Sequence, residues 1–335
     1  MQIETETTVS AAISPGVPVT HSRNPAEPCG VILVDKPAGI TSHDVVDALR
    51  RVCRIRAVGH TGTLDPAASG LMVMLVGKAT KIAPFVSGMG KCYRALIHLG
   101  QVSDTGDAEG RLTAAGDPAS VTHERLIAVL HNLVGDVSLK VPAFAAVRTK
   151  GKRRYELARG GQDVPPLERT ATILSADLLI FENPAVTVRV RCSAGTYIRS
   201  YAEAIGEALG CGAYLAGLRR EEFGPWHVDE AVSLSELETS AQGSADTPSL
   251  RSIEEFLTFA KARVLDESVP AVMMGQPITA GMIAGIEGQF DNRDTVLLCD
   301  SSGRALAIVT ANFDSNQRLN DCPSGELFSY RRVLV

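Results

Sequence analysis

An aspartate lodged in a tight loop is the residue of this chain best placed to do chemistry. The run Gly59-His60-Thr61-Gly62-Thr63-Leu64-Asp65-Pro66 sets two glycines, which tolerate tight backbone conformations, ahead of the Asp65 carboxylate, and Pro66 stiffens the turn just after it. A free aspartate titrates near ~3.9, so Asp65 is ionised at neutral pH and can act as nucleophile or base without a histidine to activate it. The plainer reading is an ordinary turn in which Asp65 satisfies loop amides. A phosphate-cradling loop does not fit, because Gly59-x-x-Gly62 matches neither G-x-x-x-x-G-K-[ST] nor G-x-G-x-x-G.

A carboxylate used this way needs orientation, which a guanidinium supplies without losing its own charge. Arg199, directly after Gly195-Thr196-Tyr197-Ile198, is one candidate; a solvent-facing helix position is its bland alternative. Tyr93 and Tyr197 each lie at the edge of an element near a basic residue, suited to stacking on a base or to an ordinary place in the core. Arg148, Lys150, Lys152, Arg153, Arg154 and Arg159 surround the single acid Glu156, a strip that tracks a phosphate backbone or forms a solvated face. The 7 histidines show no H-x-x-x-H spacing, and the 7 cysteines form no C-x-x-C pair, so neither a metal site nor a disulfide framework is expected.

The elements that must position these groups follow from periodicity. Val31–Val34 is a buried strand, Asp35–Gly39 a loop, and Thr41/Ser42 the cap of a helix reaching about Val52. The Asp65 loop runs into an apolar strand at Leu71–Val76. Tyr93–Leu99 alternates as a strand, Val102–Gly110 is loop by composition, and Thr122 caps a helix carrying Leu126, Val129, Leu130 and Leu133. Val186, Val188, Val190 and Cys192 alternate with Thr187, Arg189, Arg191 and Ser193, a strand with arginines on its polar face. A Gly195-Thr196 turn leads to a helix ending at Gly210. Residues 233–248 read as a linker or surface excursion, and a small β-rich module follows over roughly 262–335, with strands at Thr295–Cys299, Ala305–Val309 and Phe328–Leu334. Residues 1–29 read as a disordered tail.

At 335 residues and 45% hydrophobic content the chain has material for two domains with a sizeable core. Its net charge of −5 points away from nucleic acid only as an average: residues 31–230 hold 24 Lys and Arg against 21 Asp and Glu, a net +3, so the acid lies in the flanks. The N-terminus lacks a signal peptide's basic and apolar regions, and no membrane-length apolar stretch occurs. The residues alone thus describe a cytoplasmic α/β protein with a basic central domain, a projected aspartate and a base-stacking site, without naming the reaction.

Four ordered blocks, VILVDKPAGITSHDVV, VGHTGTLDPAASGLMVMLVGKATK, KCYRALIHLGQVSDTGDAEG and CSAGTYIRSYAEAIGEALGCGAYLAGLRR, resemble the TruB family of tRNA pseudouridine-55 synthases over about residues 31–230. The GHTGTLDPxASG stretch is highly specific to it, and residues 262–335 are similar, less specifically, to the PUA-type RNA-binding domain that often follows. The resemblance implies an α+β fold: a mixed, mainly antiparallel central sheet flanked by helices, with a PUA-like domain behind it. It implies a catalytic domain over residues 30–250 with an RNA-gripping insert at about 120–170, and a PUA-like domain at 251–335.

The activity implied is isomerisation of a T-loop uridine of tRNA to pseudouridine, with the target base flipped out of its stack. Asp65 is the implied catalytic aspartate, Tyr93 the tyrosine that stacks on the target base, and Arg199 the arginine paired with the carboxylate. His60 takes the space the flipped nucleotide vacates; Tyr197 and Leu218 match substrate-pocket positions, Lys36 and Asp107 further motif positions, and Arg148 a cation on the RNA-contacting segment. No cofactor or metal is expected, and the tRNA T-stem-loop is the expected partner of a monomer with no obligatory protein partner. Two departures stand out: Pro142-Ala143-Phe144-Ala145-Ala146-Val147-Arg148 replaces Pro-x-x-Tyr-Ser-Ala-x-Lys, and Ala204 beside Glu203 replaces an expected Asp. Competing readings are a non-catalytic RNA-binding module of the same shape, a relative working inside a guide-RNA particle, and a phosphate-binding metabolic enzyme.

Overall fold

The computed structural model describes residues 28–145, 147–149, 152–160, 162, 164–243, 250–317, 319 and 325–334. The tail expected over residues 1–29 therefore lies outside the described residues up to 27.

In chain order, the first half contains β1 (Gly30–Lys36), α1 (Ser42–Cys53), β2 (Val58–His60), β3 (Ser69–Val76), α2 (Ala83–Val86), β4 (Lys91–Leu99), β5 (Gln101–Ser103), β6 (Leu112–Ala114), α3 (His123–Asn132) and β7 (Gly135–Lys140). Then come β8 (Arg148–Thr149), β9 (Lys152–Arg153), α4 (Arg154–Arg159), β10 (Glu168–Glu182), β11 (Ala185–Cys192), α5 (Ile198–Leu209), β12 (Ala213–Phe223), β13 (Trp226–His227), β14 (Val232–Ser233) and α6 (Leu234–Gly243). The C-terminal part adds β15 (Ala260–Val264), α7 (Val269–Met273), β16 (Ile283–Glu287), β17 (Thr295–Cys299), β18 (Ala305–Ala311) and β19 (Phe328–Val333).

The central sheet has the order β14-β1-β3-β12-β4-β11-β10-β7, with β2 beside β3 and β13 beside β12. Its β1/β3, β4/β12, β4/β11, β10/β11 and β7/β10 pairs are antiparallel, and β3/β12 and β1/β14 are parallel. A mixed, mainly antiparallel sheet flanked by helices is thus the architecture found. The C-terminal strands form a separate sheet in the order β16-β15-β17-β18-β19.

Local chemistry explains the helices that frame the site. Thr41 and Asp44 form a reciprocal cap on α1: the Asp44 amide donates to Thr41 Oγ1 at 3.1 Å and the Thr41 amide to Asp44 Oδ2 at 2.7 Å. Thr122 caps α3, and α5 stops at Gly210, whose φ of 74° suits glycine. Val45, Val46 and Leu49 of α1, Leu126 and Leu130 of α3 and Ile198, Tyr201 and Ile205 of α5 bury against one face of the sheet. The other face, around Val31, Leu33, Leu71, Val73 and Leu75, packs on Trp226, Phe256 and the C-terminal sheet through Leu297, Ile308 and Leu334. Strands β1 and β3 are therefore covered on both sides, which accounts for their unbroken apolar sequences.

Two expectations are corrected. Residues 233–248 are not simply a linker: Leu234–Gly243 is helical, and Leu237 on it is 3% exposed because it packs into the main core. The Val102–Gly110 segment begins in strand, since Gln101–Ser103 pairs with Leu112–Ala114 before the acidic turn closes.

Candidate active site

The Asp65 loop owes its shape to groups reaching it from three directions. Lys36, at the end of β1 and fully buried, donates from Nζ to the carbonyls of Pro37 at 2.9 Å, Ile40 at 2.7 Å and Pro66 at 3.2 Å. Gly39 N–H also reaches Pro66 O, at 2.9 Å. The Ser42 hydroxyl, on the first turn of α1, both donates to Leu64 O and accepts from Leu64 N–H, each at 2.9 Å. Arg220, on β12, donates to Gly62 O at 3.0 Å. Burial holds the Lys36 ammonium below the ordinary lysine range, while the charges of Asp65 and Asp44 oppose that effect.

Arg199 lies one residue inside α5 and is buried, whereas the Asp65 carboxylate it faces is about half exposed. Its Nε stands 3.3 Å from Asp65 Oδ2, and its Nη1 stands 3.5 Å from Asp107 Oδ2. Nη1 also donates to Thr105 O at 3.1 Å and Nη2 to Phe144 O at 3.3 Å. Carboxylates and carbonyls thus satisfy the buried guanidinium and fix its direction. Asp107 is held in turn by the Thr105 hydroxyl at 2.6 Å and the Glu109 amide at 3.1 Å. Gly106 lets this loop lie against α5: its φ is +79°, and a Cβ there would come 2.7 Å from Glu203 Oε1 and 3.3 Å from Arg199 Cβ.

Asp65, Tyr93, Phe144, Tyr197, Arg199, Leu218 and Arg220 are among the residues lining one cavity of about 320 Å³. Tyr93 comes from the middle of β4, where it pairs with Arg220 of β12 on one side and Val190 of β11 on the other. Burial pushes the Tyr93 phenol up, and the adjacent Arg220 guanidinium works against that shift. Tyr197, at the N-cap of α5, is half-buried, and burial likewise raises its phenol. A smaller space of about 30 Å³, lined by Ala67, Asp107, Ala108 and Leu215 among others, also touches Asp65 and Arg199.

The sequence-expected residues fall into three groups. Asp65, Tyr93, Arg199, Tyr197 and Leu218 meet at the cavity, while Lys36 and Asp107 stand behind it, holding Pro66 and Arg199. His60 is not among the cavity-lining residues; it pairs through its backbone with Met74 in β3, and its buried Nδ1 has no hydrogen-bond partner. Burial, then the nearby Arg220 charge, holds that imidazole below its usual value. Arg148 falls in β8, and its side chain lies outside the described residues.

Arg220 and Lys91 line the cavity as well, and sequence reasoning missed both. Their signal was available: on a strand, residues two apart share a face, so Lys91 goes with Tyr93 and Arg220 with Leu218. The arginines on the polar face of β11, by contrast, are paired with acids: Arg189 with Glu221 at 2.9 Å and Arg191 with Glu222 at 2.5 Å. Of the two departures from the family pattern, Phe144 supplies a carbonyl to Arg199 and a wall of the cavity, while nothing in the structure explains Ala204. Among the described residues no cluster suited to a metal ion occurs, and no helix is long and apolar enough to cross a membrane.

Comparison with known proteins bears on this arrangement. Residues 50–198 match the model of the TruB family pseudouridylate synthase N-terminal domain, residues 199–258 that of the tRNA pseudouridylate synthase B C-terminal domain, and residues 261–319 that of the PUA domain. The tRNA pseudouridine synthase B of Syntrophotalea carbinolica is 40% identical over 281 residues, covering 84% of this chain and 91% of that one. That of Corynebacterium aurimucosum is 39% identical over 294 residues, covering 85% and 97%. Among solved structures, a chain of an H/ACA ribonucleoprotein bound to a substrate RNA containing 2′-deoxyuridine superposes with a TM-score of 0.71 at 27% identity, covering 91% of this chain and 85% of that one. A chain of an archaeal box H/ACA complex gives 0.69 at 27% identity, covering 91% and 86%. With its sheet, its C-terminal PUA domain and relatives that span nearly its whole length, the chain belongs to the TruB family of pseudouridine synthases, isomerases that convert uridine to pseudouridine in tRNA.

Proposed function

We propose that the chain isomerises the T-loop uridine of tRNA, position 55, and that Asp65 is the catalytic carboxylate. The observation that carries this reading is the placement of Asp65: a half-exposed carboxylate on the wall of a 320 Å³ cavity, with the buried Arg199 guanidinium 3.3 Å behind it and Tyr93 lining the same space.

In this reading the flipped uridine enters with its base against Tyr93, between Leu218 and Tyr197. Asp65 then assists cleavage of N1–C1′, either by bonding to the ribose C1′ or by removing a ribose proton to give a glycal. The uracil turns within the cavity and C5 bonds to C1′; the C5 proton is lost, with the Tyr93 hydroxyl placed to assist, and N1 gains one. Product and substrate are isomers. Arg199 keeps Asp65 aimed, and Asp107 keeps Arg199 in place. His60, beside the loop, fills the space that the flipped nucleotide leaves in the RNA. Residues 30–250 act as the catalytic domain, in which the segment at about 120–170, with Arg148, grips the T-arm. Residues 251–335 add a further RNA surface, and the work is done in the cytoplasm.

Incubation with a T-stem-loop RNA, followed by mapping of pseudouridine, tests the proposal. One pseudouridine at the T-loop position is expected, and none with Asp65→Asn. An unchanged yield in that variant would remove Asp65 from the mechanism.

A further inference from the structure

Arg220 is 1% exposed and among the largest fully buried side chains of the protein. Its Nε donates to Leu71 O at 2.6 Å and its Nη2 to Gly62 O at 3.0 Å, so two rigid backbone points, one in β3 and one in the Asp65 loop, fix the plane of the guanidinium. Nη1 takes part in neither bond. It lies close to the loop backbone, since a Cβ on Gly62 would sit 3.4 Å from it. The side chain lines the cavity beside Tyr93, its direct partner across β4 and β12. Among the described residues no acid forms an ion pair with it: the carboxylates of its neighbours on β12, Glu221 and Glu222, are taken by Arg94, Arg189 and Arg191. Lys91, 8% exposed and seated over the Phe223 ring at 4.3 Å, adds a second cation to the same wall.

A buried cation held at a cavity wall with hydrogen-bonding capacity to spare is a device for meeting negative charge. The reaction proposed above generates such charge. When N1–C1′ breaks, both bonding electrons leave with the uracil, which becomes an anion spread over N1, O2 and O4; the electrons return when C5 bonds to C1′. Asp65 acts at the sugar and cannot stabilise an anion on the base. We propose that Arg220 is a further catalytic residue, whose guanidinium stabilises the uracil anion between departure from C1′ and recapture through C5. The inference rests on the reaction read above.

The experiment compares two T-stem-loop RNAs, one with uridine and one with 5-fluorouridine at the target position, under single-turnover conditions with the full chain. Fluorine withdraws charge and makes the departing base a more stable anion by itself, so it substitutes for part of what Arg220 supplies. Consumption of the target nucleoside is read by chromatography after digestion. Relative to the unaltered protein, Arg220→Gln is expected to slow the uridine RNA by about 100-fold and the fluorinated RNA by only about 10-fold. Arg220→Lys, which keeps the charge, is expected to recover about tenfold on the uridine RNA and to show the same imbalance in smaller measure. Should Arg220→Gln fail to fold, the ratio for Arg220→Lys decides. Equal slowing of the two RNAs, the result of a merely structural role, overturns the inference, as does no slowing at all. If the unaltered protein leaves the uridine RNA unchanged, the T-loop reading falls and this inference with it.

Discussion

The ammonium of Lys36 reaches the carbonyl of Pro66, the residue that follows Asp65, across 3.2 Å. A buried cation at the end of one strand thus holds the far side of the turn that presents the carboxylate. Lys36→Met leaves the Pro37 and Ile40 carbonyls without this donor, while Pro66 O keeps its bond from Gly39. Each orphaned carbonyl costs about 1–3 kcal/mol, and removal of a buried charge offsets part of that. A net loss of about 1–3 kcal/mol in urea unfolding is expected, with a fall in pseudouridine formation beyond what the unfolded fraction explains. Unchanged stability and rate would show that the loop holds its shape without Lys36.

Arg199 is wedged between Asp65 and Asp107, and the two carboxylates have different surroundings. Asp107 is mostly buried and hydrogen-bonded, whereas Asp65 opens to the cavity. Asp107→Ala should let the guanidinium drift from Asp65, and a misplacement of about 1 Å is enough for a loss of order 100-fold in rate. Single-turnover rate should fall while tRNA affinity, measured by filter binding, stays nearly constant. Arg199→Ala should show the same split more strongly. Loss of affinity at a normal rate would contradict both.

Lys91 offers a pH test of burial. Its ammonium, which also donates to Ser87 O at 2.7 Å, is brought down to about 8 by desolvation, with the Arg220 charge adding to the effect. The unfolded chain holds the same proton up to the ordinary lysine range near ~10.4. Between those limits the unfolded state binds more protons, so this group's contribution to stability rises with pH, and it is lost as pH falls through about 8. Unfolding free energies from urea titrations at pH 7, 8, 9 and 10 should therefore show the unaltered protein gaining on Lys91→Met as pH rises. A constant difference would mean that Lys91 titrates normally in the fold.

Trp226 and Phe256 stack at 4.1 Å between the central sheet and the C-terminal sheet. Phe256 is fully buried, so Phe256→Ala should destabilise by about 3–5 kcal/mol, the range for removing a core aromatic ring. Chemical denaturation monitored by Trp226 fluorescence, the chain's 1 tryptophan, is the direct measurement. A change under about 1 kcal/mol would show that the site refills on truncation.

Much of the frame was legible in local sequence. The cap at Thr41, the apolar strand after Asp65 and the helix that ends at Gly210 each rest on short-range rules, and the structure has them as Ser42–Cys53, Ser69–Val76 and Ile198–Leu209. β12 was harder to see because bulges between Leu215 and Gly217 and between Arg220 and Glu222 break its alternation, and it buries Arg220 and Glu221 where a pattern reader expects apolar residues. β10 hides for a related reason: shifts at Ile173/Ser175 and Leu178/Ile180 interrupt its register with β11. The cavity could not be read locally, since its walls come from segments as far apart as Thr61 and Arg220. The motif resemblance singled out residues for roles and passed over Lys91 and Arg220, whose two-residue spacing from Tyr93 and Leu218 was the signal, and laying β4 and β12 side by side brings both to one wall.

The position of β12 carries a consequence for how the protein comes into being. This strand lies between β3 and β4, pairing with both, yet residues 213–223 follow almost all the rest of that sheet in sequence. During synthesis, β3 and β4 leave the ribosome well before the strand that joins them. Until then β4 lacks this partner along its whole length, while β3 stays open only at Ser69 and Gly70, the end that β2 does not cover. Closing the gap pairs segments more than a hundred residues apart, a slow kind of step. The vulnerable period in the life of this protein is therefore the interval between the emergence of Leu99 and of Arg220, and a nascent chain stalled within it carries Asp65 and Tyr93 but lacks the arginine that pairs across from Tyr93.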